Sequence, residues 1–198
     1  GGIRTTVDTA QLVREATELA LRGSMARCNY SKPDDLWPVE VDESQLSQAI
    51  SNIVINADQA MASNGQIQIR MENILAEKDP GVPFKSGRYV RIVVEDEGDG
   101  IAPELLDRIF DPYFSTKRDA SGLGLATAFS IIANHNGSLA ASSKLYSGAA
   151  ITLCLPASDQ PVEARSEIEE TFAPGAGRIL LMDEKRVSDI AARILNFL

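Results

Sequence analysis

Asp96-Glu97-Gly98-Asp99-Gly100-Ile101 follows directly on the apolar run Arg91-Ile92-Val93-Val94-Glu95. A β-rich run that closes in Asp-x-Gly-x-Gly puts a carboxylate at a strand end, and the glycines let the backbone turn sharply beside it. Upstream, Asn52 and Asn56 stand four apart in a long helical pattern and so share a helix face. Downstream, Ser121-Gly122-Leu123-Gly124-Leu125 opens another helix. An Asn-bearing helix, an Asp-Gly strand end and a Gly-rich helix start, in that order, read as the parts of a nucleotide pocket.

Working outward, Asp8 or Thr9 caps a helix whose Leu12, Val13, Ala16, Leu19 and Ala20 share one face, and Gly23 ends it. Residues 24 to 30 read as a strand and Lys32 to Asp35 as a turn. Asp42 precedes the long helix, with Leu46, Ala49, Ile50, Ile53, Val54, Ala57, Ala60 and Met61 as its apolar stripe. Gln45, Gln48, Asn52, Asn56 and Gln59 run beside that stripe, and Asn64-Gly65 stops the helix. Gln66 to Ile74 alternates as a half-buried strand does. After a loop over Glu77 to Gly87 comes a second strand, Arg88 to Glu95, antiparallel to it. Pro103 to Ile109 predicts a short helix and Phe110 to Ala120 a mobile loop. Leu123 to Asn134 is helical, and residues 138 to 143 and 149 to 155 form a hairpin that ends at Pro156.

Composition sets bounds. The chain has 198 residues, 44% of them hydrophobic, and a formal net charge of -9. A basic footprint is missing, which disfavours nucleic-acid binding. ATP needs only a local positive field and is not excluded. Cys28 and Cys154 lie far apart in strand-like apolar surroundings and suit reduced core residues. No apolar run is long enough to span a bilayer and no signal peptide is visible, so a cytoplasmic location without membrane contact is the default. The chain begins Gly-Gly without Met, as a processed or excised piece would.

Each motif has a functional and a plain reading. A carboxylate at Asp96 can accept a hydrogen bond from the exocyclic amine of adenine, whereas guanine presents a carbonyl there. The same Asp-x-Gly-x-Gly also suits a tight turn after a buried strand. An Asn amide oxygen is a fitting ligand for a Mg²⁺ already paired with phosphates. Two Asn also suit a solvated face. The amides of a helix start at Gly122 to Leu125 would hold phosphate, and close helix packing is the alternative. Lys117 could add a cationic contact or be a surface lysine. His135, the sole histidine, sits at a helix end and reads as a dipole complement rather than a phosphoacceptor or metal ligand. Tyr30 and Trp37 read as packing.

Taken together, these residues resemble the ATP-binding catalytic domain of sensor histidine kinases, within the superfamily that includes gyrase, a heat-shock chaperone and the mismatch-repair ATPases. The resemblance covers about residues 5 to 157. Gln45 to Ala57 looks like the family's Asn box and Asp96 to Ile101 like its first glycine box. Ile109 to Lys117 looks like its Phe box and Ser121 to Ala126 like its second glycine box. Ala120 departs from the extra Gly common before that last box, and Ala149-Ala150 from a Thr common after Gly148.

The resemblance implies an α/β fold, a two-layer sandwich of a mixed β-sheet packed on helices, with residues 110 to 121 as a flexible ATP lid. It implies ATP and Mg²⁺ as cofactors. Asp96 would bind the adenine amine, and Asn56 the metal. Asn52 would lie beside the phosphates, with Asn52, Asn56 and Lys117 as the catalytic set. Gly98 and Gly100 would let the pocket floor bend. Ile101, Phe114, Lys117, Ser121, Gly122, Leu123, Gly124 and Leu125 complete the binding set. Partners would be a His-bearing dimerisation domain of the same kinase and a response-regulator receiver domain. Residues 158 to 176 read as a linker. Residues 177 to 198, with Asp183-Glu184 after an apolar run, resemble the truncated start of a receiver, as in a fragment of a hybrid kinase. Hydrolysing relatives carry a Glu one helical turn before the metal-binding Asn. Asn52 stands there and cannot act as a base towards water. Transfer of the γ-phosphate to a histidine is therefore the leading function. A self-sufficient ATPase and a degenerate protein-binding module are the alternatives.

Overall fold

The computed structural model describes residues 2–62, 64–76, 86–116, 121–143 and 145–162. The chain divides into two compact units, Gly1–Ala164 and Arg165–Leu198, and the described residues all belong to the first. Most of the expected linker and the whole receiver-like segment lie outside them.

Among the described residues, seven strands and three α-helices follow one another. They are β1 (Thr5–Val7), α1 (Thr9–Ala20), β2 (Arg27–Ser31), β3 (Val39–Val41), α2 (Glu43–Ala60), β4 (Gln66–Ala76) and β5 (Gly87–Asp96), then α3 (Gly124–Asn134), β6 (Ser138–Ser143) and β7 (Ala149–Pro156). The main sheet has the order β2-β4-β5-β7-β6, and only the β2–β4 pair is parallel. β1 and β3 make a separate antiparallel ribbon, joined to the end of the main sheet by a bridge between Val39 and Ala157. This is the expected two-layer sandwich of a mixed sheet on helices.

The binary pattern explains the layers. Ile67, Ile69 and Met71 of β4 are buried on one face, with Ile92 and Val94 of β5 and Leu153 and Leu155 of β7. Against them lies the stripe of α2 (Leu46, Ala49, Ile50, Ile53, Val54 and Ala57), flanked by Val13 of α1 and Ile132 of α3. The other face of β4 and β5 is polar. Glu72 pairs with Arg91 directly across the ladder at 2.8 Å, and Arg70 with Glu95 diagonally across it at 2.9 Å. The Arg91 guanidinium holds the Glu72 carboxyl below the usual carboxylate range. Both pairs are well exposed, so each is worth at most about 1 kcal/mol.

Caps fall where the sequence places them. Asp8 and Asp42 accept the Gln11 and Gln45 amides at 3.0 and 3.1 Å and start α1 and α2. At the end of α3, Asn136 takes a left-handed φ of 57°, with Gly137 N–H bonded to the Ile132 carbonyl and Asn136 N–H to that of Ala133. These two bonds make a Schellman motif. Four readings need correction. α2 ends at Ala60, with Ala62 taking the left-handed conformation, a few residues before Asn64-Gly65. Pro103 begins a 3₁₀ turn over Pro103–Leu105 rather than a short α-helix, because the bonds there run i to i+3. Thr5–Val7 and Val39–Val41, left unassigned by the sequence, are strands. Residues 24 to 26 precede β2 rather than belonging to it.

Both cysteines are free thiols. Burial pushes Cys28 and Cys154 up, so neither carries much reactive thiolate. Tyr30 lies under the Arg14 guanidinium, and Trp37 under that of Arg88, as packing residues. No helix among the described residues is long and apolar enough to cross a membrane.

Candidate functional site

The last residue of β5 is Asp96, whose carboxylate stands at the strand end. Its Oδ1 accepts the Gly98 N–H at 2.9 Å and the Ala149 N–H at 3.3 Å, so the carboxylate is clamped between its own turn and β7. The loop from β6 to β7 is zipped onto the same turn. Tyr146 N–H donates to the Asp99 carbonyl at 2.7 Å and Gly148 N–H to that of Gly98 at 2.9 Å. The Ser143 hydroxyl accepts the Ile101 N–H and donates to the Gly148 carbonyl, both at 2.7 Å. Gly98 has to be glycine for a steric reason. A Cβ there would lie 2.6 Å from the carbonyl oxygen of Ala60, at the end of α2.

α2 contributes a polar edge beside its buried stripe. Asn52 and Asn56, both half-buried, line a cavity of about 640 Å³ together with Ile55, Gln59 and Ala60. The other lining residues are Gly100, Ile101 and Ala102 after the Asp96 turn, Leu105, Ile109 and Phe114 beyond it, and Ser121, Gly122, Gly124 and Leu125 at the start of α3. Leu145 of the β6–β7 loop and the exposed Ser115 and Thr116 complete the lining. The walls are mostly apolar with a few convergent amides and hydroxyls, as small-molecule sites commonly are.

α3 starts without a side-chain cap. Its first-turn amides therefore lack the partner that a Ser or Asp would supply. Gly124 brings this helix mouth against α2, since a Cβ on it would lie 3.9 Å from that of Asn52. Gly122 holds a left-handed φ of 68°, and a Cβ there would lie 2.5 Å from the Tyr113 carbonyl carbon. The Tyr113 N–H donates to the Gly122 carbonyl at 3.0 Å, which ties the ends of the intervening segment together. Phe114 is covered by the Arg108 guanidinium, 4.5 Å from its ring centre, and Phe110 packs on Phe129 at 5.5 Å.

The sequence-predicted residues divide as follows. Asn52, Asn56, Gly100, Ile101, Phe114, Ser121, Gly122, Gly124 and Leu125 meet on one cavity. Asp96 and Gly98 lie in the turn just before Gly100 and Ile101 and do not line this cavity themselves; Asp96 lines a separate polar hollow of about 520 Å³. Leu123 sits at the position that starts α3, with its N–H 3.4 Å from the Ser121 hydroxyl. Lys117 and Ala120 lie outside the described residues. Sequence reasoning missed Ile55, Leu145 and Ser143. Ile55 is signalled by its place between the two Asn, whereas Leu145 and Ser143 reach the site only through sheet pairing. Among the described residues, no group of three His, Cys, Asp or Glu could hold a metal ion. A divalent cation here would take most of its ligands from a bound polyphosphate.

An α/β sandwich with an amide-lined cavity between an Asp-Gly strand end and an open helix mouth defines a nucleotide-binding domain. The family model described as histidine kinase-, DNA gyrase B-, and HSP90-like ATPase matches residues 41–159, and the chain belongs to that family. It is 34% identical over 165 residues to sensor kinase CckA of Brucella abortus (strain 2308), across 76% of this chain and 18% of that protein. It is 33% identical over 153 residues to sensor histidine kinase ZraS of Escherichia coli (strain K12), across 76% of this chain and 30% of that protein. Among solved structures it is similar to the catalytic domain of histidine kinase ThkA, with a TM-score of 0.63, 28% identity, and 78% of this chain and 95% of that one covered. It is also similar to full-length ShkA in complex with AMPPNP, with a TM-score of 0.64, 25% identity, and 80% of this chain and 32% of that one covered. The fold is that of an ATP-binding histidine kinase catalytic domain. The chain spans under a third of the length of those two curated relatives.

Proposed function

We propose that this domain, within a longer kinase, donates the γ-phosphate of ATP to a histidine on a separate dimerising domain. A response-regulator receiver then takes the phosphoryl group onward in a phosphorelay. The observation that carries the reading is the approach of the uncapped α3 mouth to Asn52 across the cavity that Gly100 and Ile101 wall on the other side. Phosphoryl transfer asks a protein mainly for positioning and charge neutralisation; the amides and Asn side chains of this cavity offer the first, and the second falls to a bound cation and Lys117.

Asp96 orients adenine through its exocyclic amine, held in place by the Gly98 and Ala149 amides. Ile55, Ile101, Ile109 and Leu145 enclose the base and exclude water. The amides from Gly122 to Leu125 hold phosphate oxygens, and Lys117 adds a cationic contact. Asn56 supplies a neutral oxygen to Mg²⁺, with Asn52 beside the phosphates. The donor set fits a hard cation that is already largely neutralised by polyphosphate, since it offers amide oxygens and no carboxylate cluster. That cation, when bound, withdraws charge from the phosphate oxygens. Free hydrolysis is disfavoured because the amide of Asn52 cannot take a proton from water.

A fluorescent ATP analogue titrated with Mg²⁺ present tests the binding step. Saturable binding is expected, and Asp96→Asn should weaken it about 10- to 100-fold, the worth of one hydrogen bond to a charged group. Absence of saturable binding by the unaltered chain ends the reading. The transfer step is tested by mixing the chain with a separate His-bearing helical hairpin and γ-labelled ATP. Label on the hairpin supports transfer. Steady phosphate release by the chain alone, lost in Asn52→Ala, would instead establish a self-sufficient ATPase.

A further inference from the structure

α2 and α3 lie side by side and antiparallel, because Gly124 meets Asn52 at one end and His135 meets Asp42 at the other. Both helices bury apolar residues in the same core, Leu46, Ile50 and Ile53 from α2 and Ala128, Ile131 and Ile132 from α3. Apolar packing is non-directional and resists axial sliding only through shape. A directional contact lies at the far end from the cavity. His135 is 4% exposed. Its Nδ1 is 2.8 Å from the Ile131 carbonyl, and its Nε2 is 3.0 Å from the Asp42 amide nitrogen. A carbonyl only accepts and an amide N–H only donates. The ring is therefore neutral, with its hydrogen on Nδ1 and its lone pair on Nε2. Arg4 adds a bond from Nη2 to the Asn134 carbonyl at 2.6 Å.

We infer that His135 is a positioning residue for the nucleotide site. Its Nε2, by accepting the amide at the α2 cap, sets the axial register of α3 against α2, and so the placing of Gly122 to Leu125 against Asn52. The inference rests on reading the cavity as the ATP site. The lever is mechanical. α3 is a rod of eleven residues, about 16 Å long, so a shift at its C-terminus is carried to its first turn. Asp42 is anchored on its own side by the Ser44 hydroxyl and the Gln45 amide and side chain, which makes it a firm reference point.

Three substitutions separate this role from ring packing. A Gln side chain places its amide oxygen where Nε2 stands and can accept the Asp42 N–H. An Asn side chain reaches only the Nδ1 position and can keep the bond to Ile131 alone. Phe keeps the ring and neither bond. In variants shown to be folded by thermal melting, His135→Gln should bind the fluorescent ATP analogue within about twofold of the unaltered chain. His135→Asn and His135→Phe should bind about tenfold more weakly, the effect of losing one orienting hydrogen bond. In nuclear magnetic resonance of the apo chain, the imidazole of the unaltered protein should show Nδ1 protonated and Nε2 bare. The amide signals of Gly124 and the side-chain amide of Asn52 should move in the Asn variant and stay in the Gln variant. A proton on Nε2, unmoved Gly124 and Asn52 signals in the Asn variant, or Gln as damaging as Asn would each overturn the inference. If the unaltered chain fails to bind nucleotide, the ATP reading fails instead, and the apo spectra still decide the register.

Discussion

A single backbone contact decides whether Gly98 can be anything else. The Asp96 turn packs directly on the last turn of α2, and an added methyl at Gly98 would press on the Ala60 carbonyl, which is backbone and cannot swing away. Gly98→Ala should therefore destabilise the domain by about 1 to 3 kcal/mol, the usual cost of overpacking, seen as a lower urea midpoint with an unchanged slope. A wild-type midpoint would mean that the turn and α2 separate more easily than their contact suggests. At this scale much of the site was legible. Asn52, Asn56 and the two glycine elements carry their chemistry in their identity and spacing. Ser143 and Leu145 do not. They lie on β6 and in its loop, and nothing in Ser138 to Ser143 hints that its last hydroxyl will hold the Ile101 amide.

At the scale of elements, the start of α2 combines a cap, a charge and a cross-helix bond in Asp42. Hydrogen bonds from the Ser44 hydroxyl and the Gln45 amide hold the Asp42 carboxyl below its ordinary value. The sign follows. A carboxyl lowered on folding adds stability that is complete above its unfolded value of about 3.9 and is lost as pH falls through that value towards the lower folded one. Asp42→Asn keeps the capping shape and removes the charge. The unaltered chain should be the more stable by urea unfolding at pH 7, and the gap should shrink steadily below about pH 4. A gap that stays constant to pH 3 would show that the carboxylate charge plays no part. The two longest helices were readable because 3.6-residue periodicity accumulates over their 18 and 12 residues. β1 and β3 have three residues each, too few for a period-2 signal, and they exist only because they pair with each other.

Across the whole molecule, the sheet order brings together motifs that are far apart in the chain. β5 is flanked by β4 and β7, so its end at Asp96 is closed by the β6–β7 loop and floored by the end of α2. α3 runs beside α2 and brings the Gly122 element to the same cavity as Asn52 and Asn56. Ligand binding to such a shared cavity stabilises the folded state as a whole. A Mg²⁺-bound ATP analogue at a hundred times its dissociation constant should add about 2.7 kcal/mol to the unfolding free energy. Thermal melting should show this as a rise of roughly 5 to 10 degrees, and Asp96→Asn should lose most of it at the same ligand concentration.

By itself, the sequence determined the helices, the long strands, the caps and the chemistry of the Asn and Gly motifs. Each of these is written in neighbouring residues, through hydrogen bonds and side-chain periodicities that close within a few positions. Only the tertiary structure decided that β2 runs parallel to β4, that Leu145 walls the cavity, and that His135 joins two helices instead of merely complementing one helix end. Those outcomes depend on which buried faces meet. Burial of apolar surface is non-directional and leaves no mark on the local pattern that would name the partner.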